Sequence, residues 1–475
     1  MGKNEPSFEL MKPFKITGIW WFPGRPENKI GGELSFCHED GLQLTLFNVP
    51  SNAHEGLPRR EIILGLSSEA KEITLVNCRC YQGQTHHAIA TSEFNSISTE
   101  TYWIETLLHG ICIESKDQVV FSKISIDFPL FFEWLNTKPF EVSFEDDMKK
   151  AIITINNSDI LNINVNNEFS IRIPPGGGWK QDGLRQFVAY EHYHLVIQSS
   201  QDHDLEKILE VGSIMQNFLS LATGVPIYPV TVTAYRATED HGREMEISVV
   251  YNLPRWAMNS RRVSASEMLF TRMDFKDEID EVIKSWFKLE SNLKMVYGAL
   301  FSNVFNPNLY PENEFINIIQ GLESYHRTKM NNLVEPRAVY REKKNRIHSA
   351  LGSSMEEEWR WLEQRLNHAN EPSLSLRLTE VFYAFKEFIP FLTDEKIKWL
   401  IDSAVEARNR MMHPEEGRSI ALSGAELVLI NLILKIMVKG ILLFETNVRL
   451  TKIPIMIKRT KDYQNAKIIA DRYML

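Results

Sequence analysis

The spacing of apolar residues changes near residue 265, and this change limits the folds available to the chain more than any other feature. From about Phe14 to Asn252, apolar and polar residues alternate in short runs rich in β-branched side chains, such as FKITGIWWF and EITLVNCRCY. Asp40-Gly41 has the signature of a hairpin turn. One helical pattern, DLEKILEVGSIMQNFLSLATG, interrupts these runs and ends at Gly224. The first half is therefore predicted to be mostly antiparallel β structure, a sandwich or barrel with an inserted helix.

After the segment NLPRWAMNSRRVSASE the spacing becomes that of helices, for example in DEIDEVIKSWFKLESNLKMVYGAL and DEKIKWLIDSAVEARNRMMH. A chain of 475 residues is also too long for one ordinary hydrophobic core. The sequence predicts an α+β protein of two domains. A β-rich domain spans residues 1–264, and an all-α bundle spans residues 265–475.

The longest apolar run, GAELVLINLILKIMVKGILLFE, is predicted to be a buried helix and not a membrane span. Polar residues interrupt it well short of the roughly 20 apolar residues that a bilayer requires. Ser423 and Glu426 form a capping-box pattern at its start. The four cysteines follow an N-terminal stretch without the pattern of a signal segment, which predicts reduced thiols in a cytoplasmic protein with no membrane contact.

The formal net charge of -9 argues against a protein that coats nucleic acid through bulk electrostatics. Any contact with RNA must be local. The candidates are a basic cluster formed by Arg337, Arg341, Lys343, Lys344 and Arg346, and a basic tail between residues 452 and 472. A solvated basic face is the simpler interpretation of each.

The sequence predicts no metal or cofactor site. Cys78 and Cys80 precede two histidines, but they lie one residue apart on a predicted strand, which does not match the spacing of zinc knuckles. The glycine-rich segment PPGGGWK lacks the Gly-Lys-Ser/Thr ending of a phosphate-binding loop.

Arg408 lies in the apolar stripe of a helix that is predicted to begin after Thr393. At about 100° per residue, one side of this helix carries Ile397, Leu400, Ile401, Ala404, Val405, Met411 and Met412. A guanidinium at the centre of that side cannot be buried without a partner. Either a carboxylate elsewhere in the bundle pairs with Arg408, or the stripe leaves the core at that turn and faces a cleft or a second subunit.

Two further polar residues follow Arg408 in the same segment. Asn409 and His413 are four residues apart and share a face if the helix continues that far, and Pro414 predicts that the helix ends at His413. A histidine in the last turn lies at the negative end of the helix dipole and can reach a substrate. Arg410 is four residues after Glu406, which favours a surface ion pair.

An arginine and a histidine separated by four to six residues, with a polar residue after the arginine, resemble the signature of HEPN (higher eukaryotes and prokaryotes nucleotide-binding) ribonucleases. Spacing alone is weak support, since Arg79/His86, Arg185/His192, Arg236/His241 and Arg341/His348 also have it. The pair Arg408/His413 alone combines a predicted helical bundle, a polar second residue and a helix-terminal histidine. GLESYHR at 321–327 and the N-terminal GIWWFPGRPENKIGGELSF also resemble segments of the ApeA-type anti-phage proteins.

This resemblance implies a metal-independent RNA endonuclease of anti-phage defence that acts as a homodimer through its C-terminal domain. Arg408, Asn409 and His413 would be the catalytic residues, with Arg408 on the phosphate and His413 in proton transfer. Glu323 and Arg327, four apart on an earlier helix, would hold Arg408 or extend the site, although an ordinary ion pair within that helix is the simpler explanation of their spacing. The resemblance also implies translation RNA, above all tRNA, as substrate, and a β-rich domain that restrains cleavage or senses a phage-derived trigger. The alternative is a non-catalytic HEPN module that dimerises or binds nucleotide beside a ligand-binding β domain.

Overall fold

The fold is seen in a computed structural model of the full chain. It describes residues 8–49, 59–88, 95–137, 140–145, 150–155, 160–182, 186–238, 244–254, 262–306, 308–351, 355–412 and 422–473. The chain divides into two compact units. The β unit comprises Met1–Ala265 and Thr271–Asp280, and the helical unit comprises Ser266–Phe270 and Glu281–Leu475.

The strands of the β unit are β1 (Phe14–Trp21), β2 (Ile30–Cys37), β3 (Gly41–Phe47), β4 (Arg59–Ser67), β5 (Glu72–Ala88), β6 (Asn95–His109), β7 (Val120–Asp127), β8 (Phe140–Glu145), β9 (Lys150–Ile155), β10 (Leu161–Asn164), β11 (Phe169–Ile173), β12 (Gly177–Asp182), β13 (Gln186–Glu191), β14 (Leu195–Asp204), β15 (Thr231–Ala237) and β16 (Glu244–Tyr251). Its helices are α1 (Phe131–Leu135), α2 (Leu205–Thr223) and the short α3 (Arg272–Phe275). β8 pairs with β9 and β12 with β13 in separate two-stranded hairpins.

Six antiparallel strands close into a barrel in the order β6-β3-β2-β1-β4-β5, because β5 pairs back onto β6. The closure removes the free edges that an open sheet would expose. The Asp40-Gly41 turn does join β2 to β3 as the sequence predicts, with Cys37 opposite Gly41.

The sheet continues beyond the barrel because β6 is long enough to pair with two strands along one edge. β3 pairs with β6 up to Ile104, and β16 takes over from Thr106. The side chain of Asn252 bridges the point where β6 changes partner. Its Nδ2 donates to the Ile104 carbonyl and its Oδ1 accepts from the Leu42 amide, both at 2.8 Å. The strands then follow in the order β16-β15-β7-β14-β11-β10.

The inserted helix α2 packs on β7 and β14. Gly212 lets it approach closely, since a Cβ there would lie 2.6 Å from the Ile126 side chain. The helix ends at Gly224 with φ +73°, as its C-cap pattern predicts. A β-rich N-terminal half with an inserted helix is therefore confirmed, and the sheet is of the barrel type.

The helices of the helical unit are α4 (Ile279–Asn292), α5 (Lys294–Val304), α6 (Pro311–Lys329), α7 (Arg337–Leu351), α8 (Glu356–Leu366), α9 (Leu374–Ala384), α10 (Asp394–Met412), α11 (Gly424–Glu445), α12 (Ile453–Lys458) and α13 (Lys461–Tyr473). The prediction of an all-α second half is confirmed. α11 lies at the centre and packs on α5, α6, α12 and α13.

α11 is long and apolar enough to cross a bilayer by length and composition, yet most of its residues are buried inside the helical unit. Its start matches the prediction, with a complete capping box between Ser423 and Glu426. Its interior polar residues find partners: Asn431 donates to the Pro311 carbonyl at 2.9 Å, and Lys435 pairs with Glu314 at 3.1 Å. These contacts replace part of the water that the polar groups lose on burial, although Asn431 Oδ1 has no hydrogen-bond partner among the described residues.

The ion pair between Lys439 and Asp462 ties α11 to α13 across 2.6 Å. Burial acts to raise the pKa of the Asp462 carboxyl, but the charges of Lys439 and Lys435 outweigh it and hold that pKa below its ordinary value. Such a carboxylate stabilises the fold above its unfolded-state pKa of about 3.9 and loses that contribution as the pH falls through its folded-state pKa.

Asp462→Asn is expected to lower the free energy of unfolding of the helical unit by about 2 kcal/mol at neutral pH, because Lys439 remains buried without its anionic partner. Urea unfolding of the full chain, followed by circular dichroism, measures the difference. It should be constant from about pH 7 to pH 5 and shrink below about pH 4. Glu281→Gln, which breaks an exposed pair with Lys284, is the control and should leave the midpoint unchanged. A pH-independent difference for Asp462→Asn would contradict the role assigned to the ion pair.

Candidate functional site

α10 carries the residues that the sequence analysis singled out. Thr393 caps its start, with the Lys396 amide donating to the threonine Oγ1 at 3.3 Å, as predicted. The buried side of the helix consists of Ile397, Leu400, Ile401, Ala404 and Ala407. This side packs on α9.

Arg408 lies where the buried side of α10 comes to its end, directly after the buried Ala407. The residue is half-buried, and Met412, one turn further on, is 47% exposed. The sequence left two alternatives for Arg408, a carboxylate partner in the bundle or an apolar stripe that extends beyond the core. The structure favours the second, because the core no longer covers the stripe at the last turn of α10. Within the same apolar stripe, Val405 and Met411 are half-buried and Met412 is exposed.

Arg408 has no carboxylate partner among the residues that the structure describes. Its Nη1 donates to Oδ1 of the neighbouring Asn409 at 3.4 Å, a long hydrogen bond. Asn409 is exposed. Within the described part of the chain, most of the N–H donors of the Arg408 guanidinium therefore have no acceptor and are available to a ligand.

His413 and Pro414 lie outside the described residues, so the approach of the imidazole to Arg408 stays a prediction. Arg410, two residues beyond Arg408, forms the ion pair with Glu406 that its spacing predicts. Arg410 is therefore engaged with the outer face of α10.

Glu323 and Arg327 form an ion pair with each other on α6, with Arg327 Nη2 2.9 Å from Glu323 Oε1. Among the described residues, no hydrogen bond joins either of them to Arg408. The prediction that they hold Arg408 has no contact to support it, and the intrahelical pair is the arrangement seen.

A buried arginine does exist in the helical unit, but it is Arg377 on α9, with 1% exposure. Its Nε donates to the Pro372 carbonyl at 3.0 Å, its Nη2 pairs with Glu371 at 3.2 Å, and its Nη1 donates to Asn332. Sequence reasoning missed this residue. The signal was available, since LSLRLTEVF places an arginine among leucines at helical spacing, as in the case of Arg408.

His326 completes this network from α6, and its hydrogen bonds fix the tautomer. Arg377 can only donate, so His326 Nδ1 at 3.2 Å must accept. The proton therefore lies on Nε2, which donates to Glu380 Oε2 at 2.5 Å. The ring is fully buried in this arrangement.

The network joins α6 to α9, and α9 in turn packs on α10. Burial lowers the pKa of the Arg377 guanidinium, with the nearby charge of Arg327 acting in the same direction and the surrounding carboxylates opposing it. Arg377 and His326 are thus enclosed by protein and unavailable to a substrate. Their contacts join α6 to α9, the helix on which α10 and its Arg408 pack.

Across the described ranges, the cluster with metal-ligand spacing lies in the β unit and consists of Asp127, His192 and His194. Cys78 and Cys80 are buried in β5, and burial raises the pKa of both thiols, which disfavours the thiolate that a metal needs. The candidate site on α10 offers the guanidinium of Arg408 and the amide of Asn409, and His413 follows Asn409 by four residues in the sequence. Such groups bind anionic oxygens, and phosphate above all.

Two protein-family models match the chain. The family model of ApeA N-terminal domain 1 matches residues 15–286, and that of the Apea-like HEPN domain matches residues 316–452, which includes α10. No curated protein and no solved structure matches the chain significantly. The N-terminal match covers more than half of the 475 residues and the HEPN match follows it in the same chain. The chain therefore belongs to the ApeA family, as a β-rich N-terminal domain followed by a HEPN domain.

Proposed function

We propose that this chain is a metal-independent RNA endonuclease of bacterial anti-phage defence in which Arg408, Asn409 and His413 carry the reaction. The ApeA and HEPN matches support the broader statement of an anti-phage protein with an RNase-type domain. One observation carries the finer statement. Arg408 stands at the last turn of α10 with no carboxylate partner in the described chain, five positions before a histidine.

RNA contains its own nucleophile, so a few side chains suffice for cleavage. A base takes the proton of the 2′-hydroxyl, an acid protonates the departing 5′ oxygen, and a cation stabilises the charge on phosphorus in the transition state. Arg408 supplies the cation as a fork that matches two phosphate oxygens. His413 supplies proton transfer near neutral pH, and Asn409 orients the phosphate or the imidazole. The product would carry a 2′,3′-cyclic phosphate.

A homodimer solves the problem that one histidine cannot easily serve as both acid and base. In the proposed dimer, the ends of two α10 helices face one groove, and each contributes an arginine and a histidine. The exposed Met412 beside the half-buried Arg408 supports this arrangement, since an apolar side chain at that position gains from being covered.

The basic helix α7 is the surface that we assign to RNA binding. It buries none of its side chains, and Arg337, Arg341 and Arg346 are exposed without a carboxylate partner among the described residues. Lys343 and Lys344 are instead paired with Glu335 and Glu363. On a chain with a net charge of -9, a local set of unpaired guanidinium groups is what phosphate binding requires.

We assign translation RNA, and tRNA first, as the substrate, and the cytoplasm, where it is found, as the location. All four cysteines are unpaired, which agrees with a reducing compartment. In this proposal the β unit restrains cleavage until a phage-derived trigger binds to it.

The activity is tested by incubating the purified full chain with total bacterial tRNA in excess EDTA and resolving the products on a denaturing gel. The wild type should give discrete fragments. His413→Ala should lower the rate by about a hundredfold or more, because proton transfer is lost. Arg408→Lys should remain strongly impaired, since an ammonium cannot replace the guanidinium fork.

Lys398→Ala removes an exposed cation from the same helix and serves as the matched control. Cleavage by His413→Ala at the wild-type rate would exclude the proposed site. Intact RNA in every lane, repeated in extract of phage-infected cells, would favour the alternative, a non-catalytic module that dimerises or binds nucleotide.

RNA binding by α7 is tested in a His413→Ala background, so that the RNA stays intact. Replacing Arg337, Arg341 and Arg346 by Gln should weaken tRNA binding and flatten its salt dependence. Each lost phosphate contact should reduce the slope of log K against log salt by about 0.7 to 0.9. Fluorescence anisotropy over a salt series measures both quantities.

The control for this experiment replaces Lys15, Lys150 and Lys207 by Gln, which changes the charge equally but at paired lysines of the β unit. It should leave the slope unchanged. Equal effects of the two triple variants would mean that only net charge matters and would remove α7 from the binding surface.

A further inference from the structure

One carboxylate and two imidazoles meet where β7 and β14 run side by side. Asp127 is the last residue of β7, and His192 and His194 lie directly before β14. Ile126 is opposite Leu195 in the antiparallel ladder, which brings the two histidines beside Asp127. The centroids of the two imidazole rings are 6.0 Å apart, and the ring planes are tilted by 34°. Strand pairing thus assembles three metal-binding side chains that are far apart in sequence.

The distances suit a transition-metal ion. One ligand atom from each of the three residues lies within 4.8 Å of the other two, and His192 Nε2 is 3.3 Å from Asp127 Oδ1. Two atoms bound to one tetrahedral zinc, each at about 2.0–2.2 Å, are about 3.3–3.5 Å apart. The His192–Asp127 separation has this value already, while it is long for a hydrogen bond. Only the third ligand has to move closer.

A supporting hydrogen bond orients the carboxylate. Thr231 Oγ1 donates to Asp127 Oδ2 at 2.5 Å from the neighbouring strand β15. This contact occupies one carboxylate oxygen and leaves Oδ1 directed at the imidazoles. Hydrogen bonds of this kind fix the ligands of metal sites and raise their affinity.

The surroundings admit an ion from solvent. The His192 side chain is 61% exposed, whereas that of Asp127 is 23% exposed. Two cations, Arg172 and Lys123, act on His194 through space, and Glu244 neutralises Lys123 at 2.5 Å. Zn²⁺ accepts a set of two imidazoles and one carboxylate as ligands. Mg²⁺ and Ca²⁺ prefer oxygen ligands, so the two imidazoles do not suit them.

We propose that Asp127, His192 and His194 form a binding site for one Zn²⁺ ion in the β unit, with the fourth coordination position open to water or an anionic ligand. The ion joins the end of β7 to the segment that follows the β12–β13 hairpin, because β13 ends at Glu191, directly before His192. It therefore anchors the base of that hairpin. The site belongs to the β unit, the proposal does not depend on RNA cleavage, and its test uses metal binding alone.

The experiment strips the full-length protein with EDTA, removes the chelator and titrates the chain with ZnCl₂ by isothermal calorimetry. Co²⁺ in a parallel titration reports tetrahedral ligand geometry through its visible absorption bands. The wild type should bind one Zn²⁺ at this site. Asp127→Asn and His192→Gln should each weaken binding at least a hundredfold, and Thr231→Val about tenfold to a hundredfold.

His368→Gln is the matched control, since this histidine is 83% exposed and lies in the helical unit. It should leave the affinity unchanged. Because the His192 side chain is mostly exposed, His192→Gln should keep the metal-free unfolding transition of the wild type, so that lost binding cannot be ascribed to lost folding. Zn²⁺ binding that is the same in the wild type, Asp127→Asn and His192→Gln, or no binding by the wild type, would overturn the proposal.

Discussion

The helical unit depends on the burial of α11, a helix that is apolar on nearly all sides. A helix of this kind is stable in water only when other helices surround it, and α5, α6, α12 and α13 do so. The few polar groups on α11 decide where those neighbours lie, because Asn431, Lys435 and Lys439 each need a partner at a particular place. α6 is thereby fixed on one side. α9 packs on α6, and α10 packs on α9, so the position of Arg408 follows from contacts that begin in the core.

Two arginines of the helical unit, Arg377 and Arg408, differ in their surroundings. This difference distinguishes a structural role from a proposed functional one. Arg377 is enclosed, and every direction of its guanidinium meets an acceptor: a carbonyl, a carboxylate, an amide oxygen and an imidazole nitrogen. Arg408 is half-exposed, and in the described part of the chain it has only a long hydrogen bond to its neighbour. The first arrangement satisfies a buried charge and leaves nothing for a ligand. The second leaves a positive fork at the end of a helix, which is why the proposed chemistry is placed there.

The main constraint on the β unit is that the edge strands of a large antiparallel sheet expose unpaired backbone groups. Pairing of β5 with β6 closes six strands, and the remaining strands extend from β6 where Asn252 bridges the change of partner. The same extension aligns β7 with β14 and so places Asp127 beside His192 and His194. The register between β7 and β14, which stabilises the sheet, also brings together the three residues of the proposed metal site.

The sequence by itself determined the class of each half, the hairpin turn at Asp40-Gly41, the end of α2 at Gly224 and both caps at Thr393 and Ser423. These features depend on neighbours within a few residues, where spacing and residue type are decisive. It also selected Arg408, Asn409 and His413 as candidate catalytic residues. Only the tertiary structure decided that Arg377 is the buried arginine, that Arg408 lies at the edge of the core, and that Asp127 meets two histidines more than sixty residues away. Helical spacing shows which residues share a face, but how much of that face is covered depends on the helices packed against it, and contacts between distant strands depend on register.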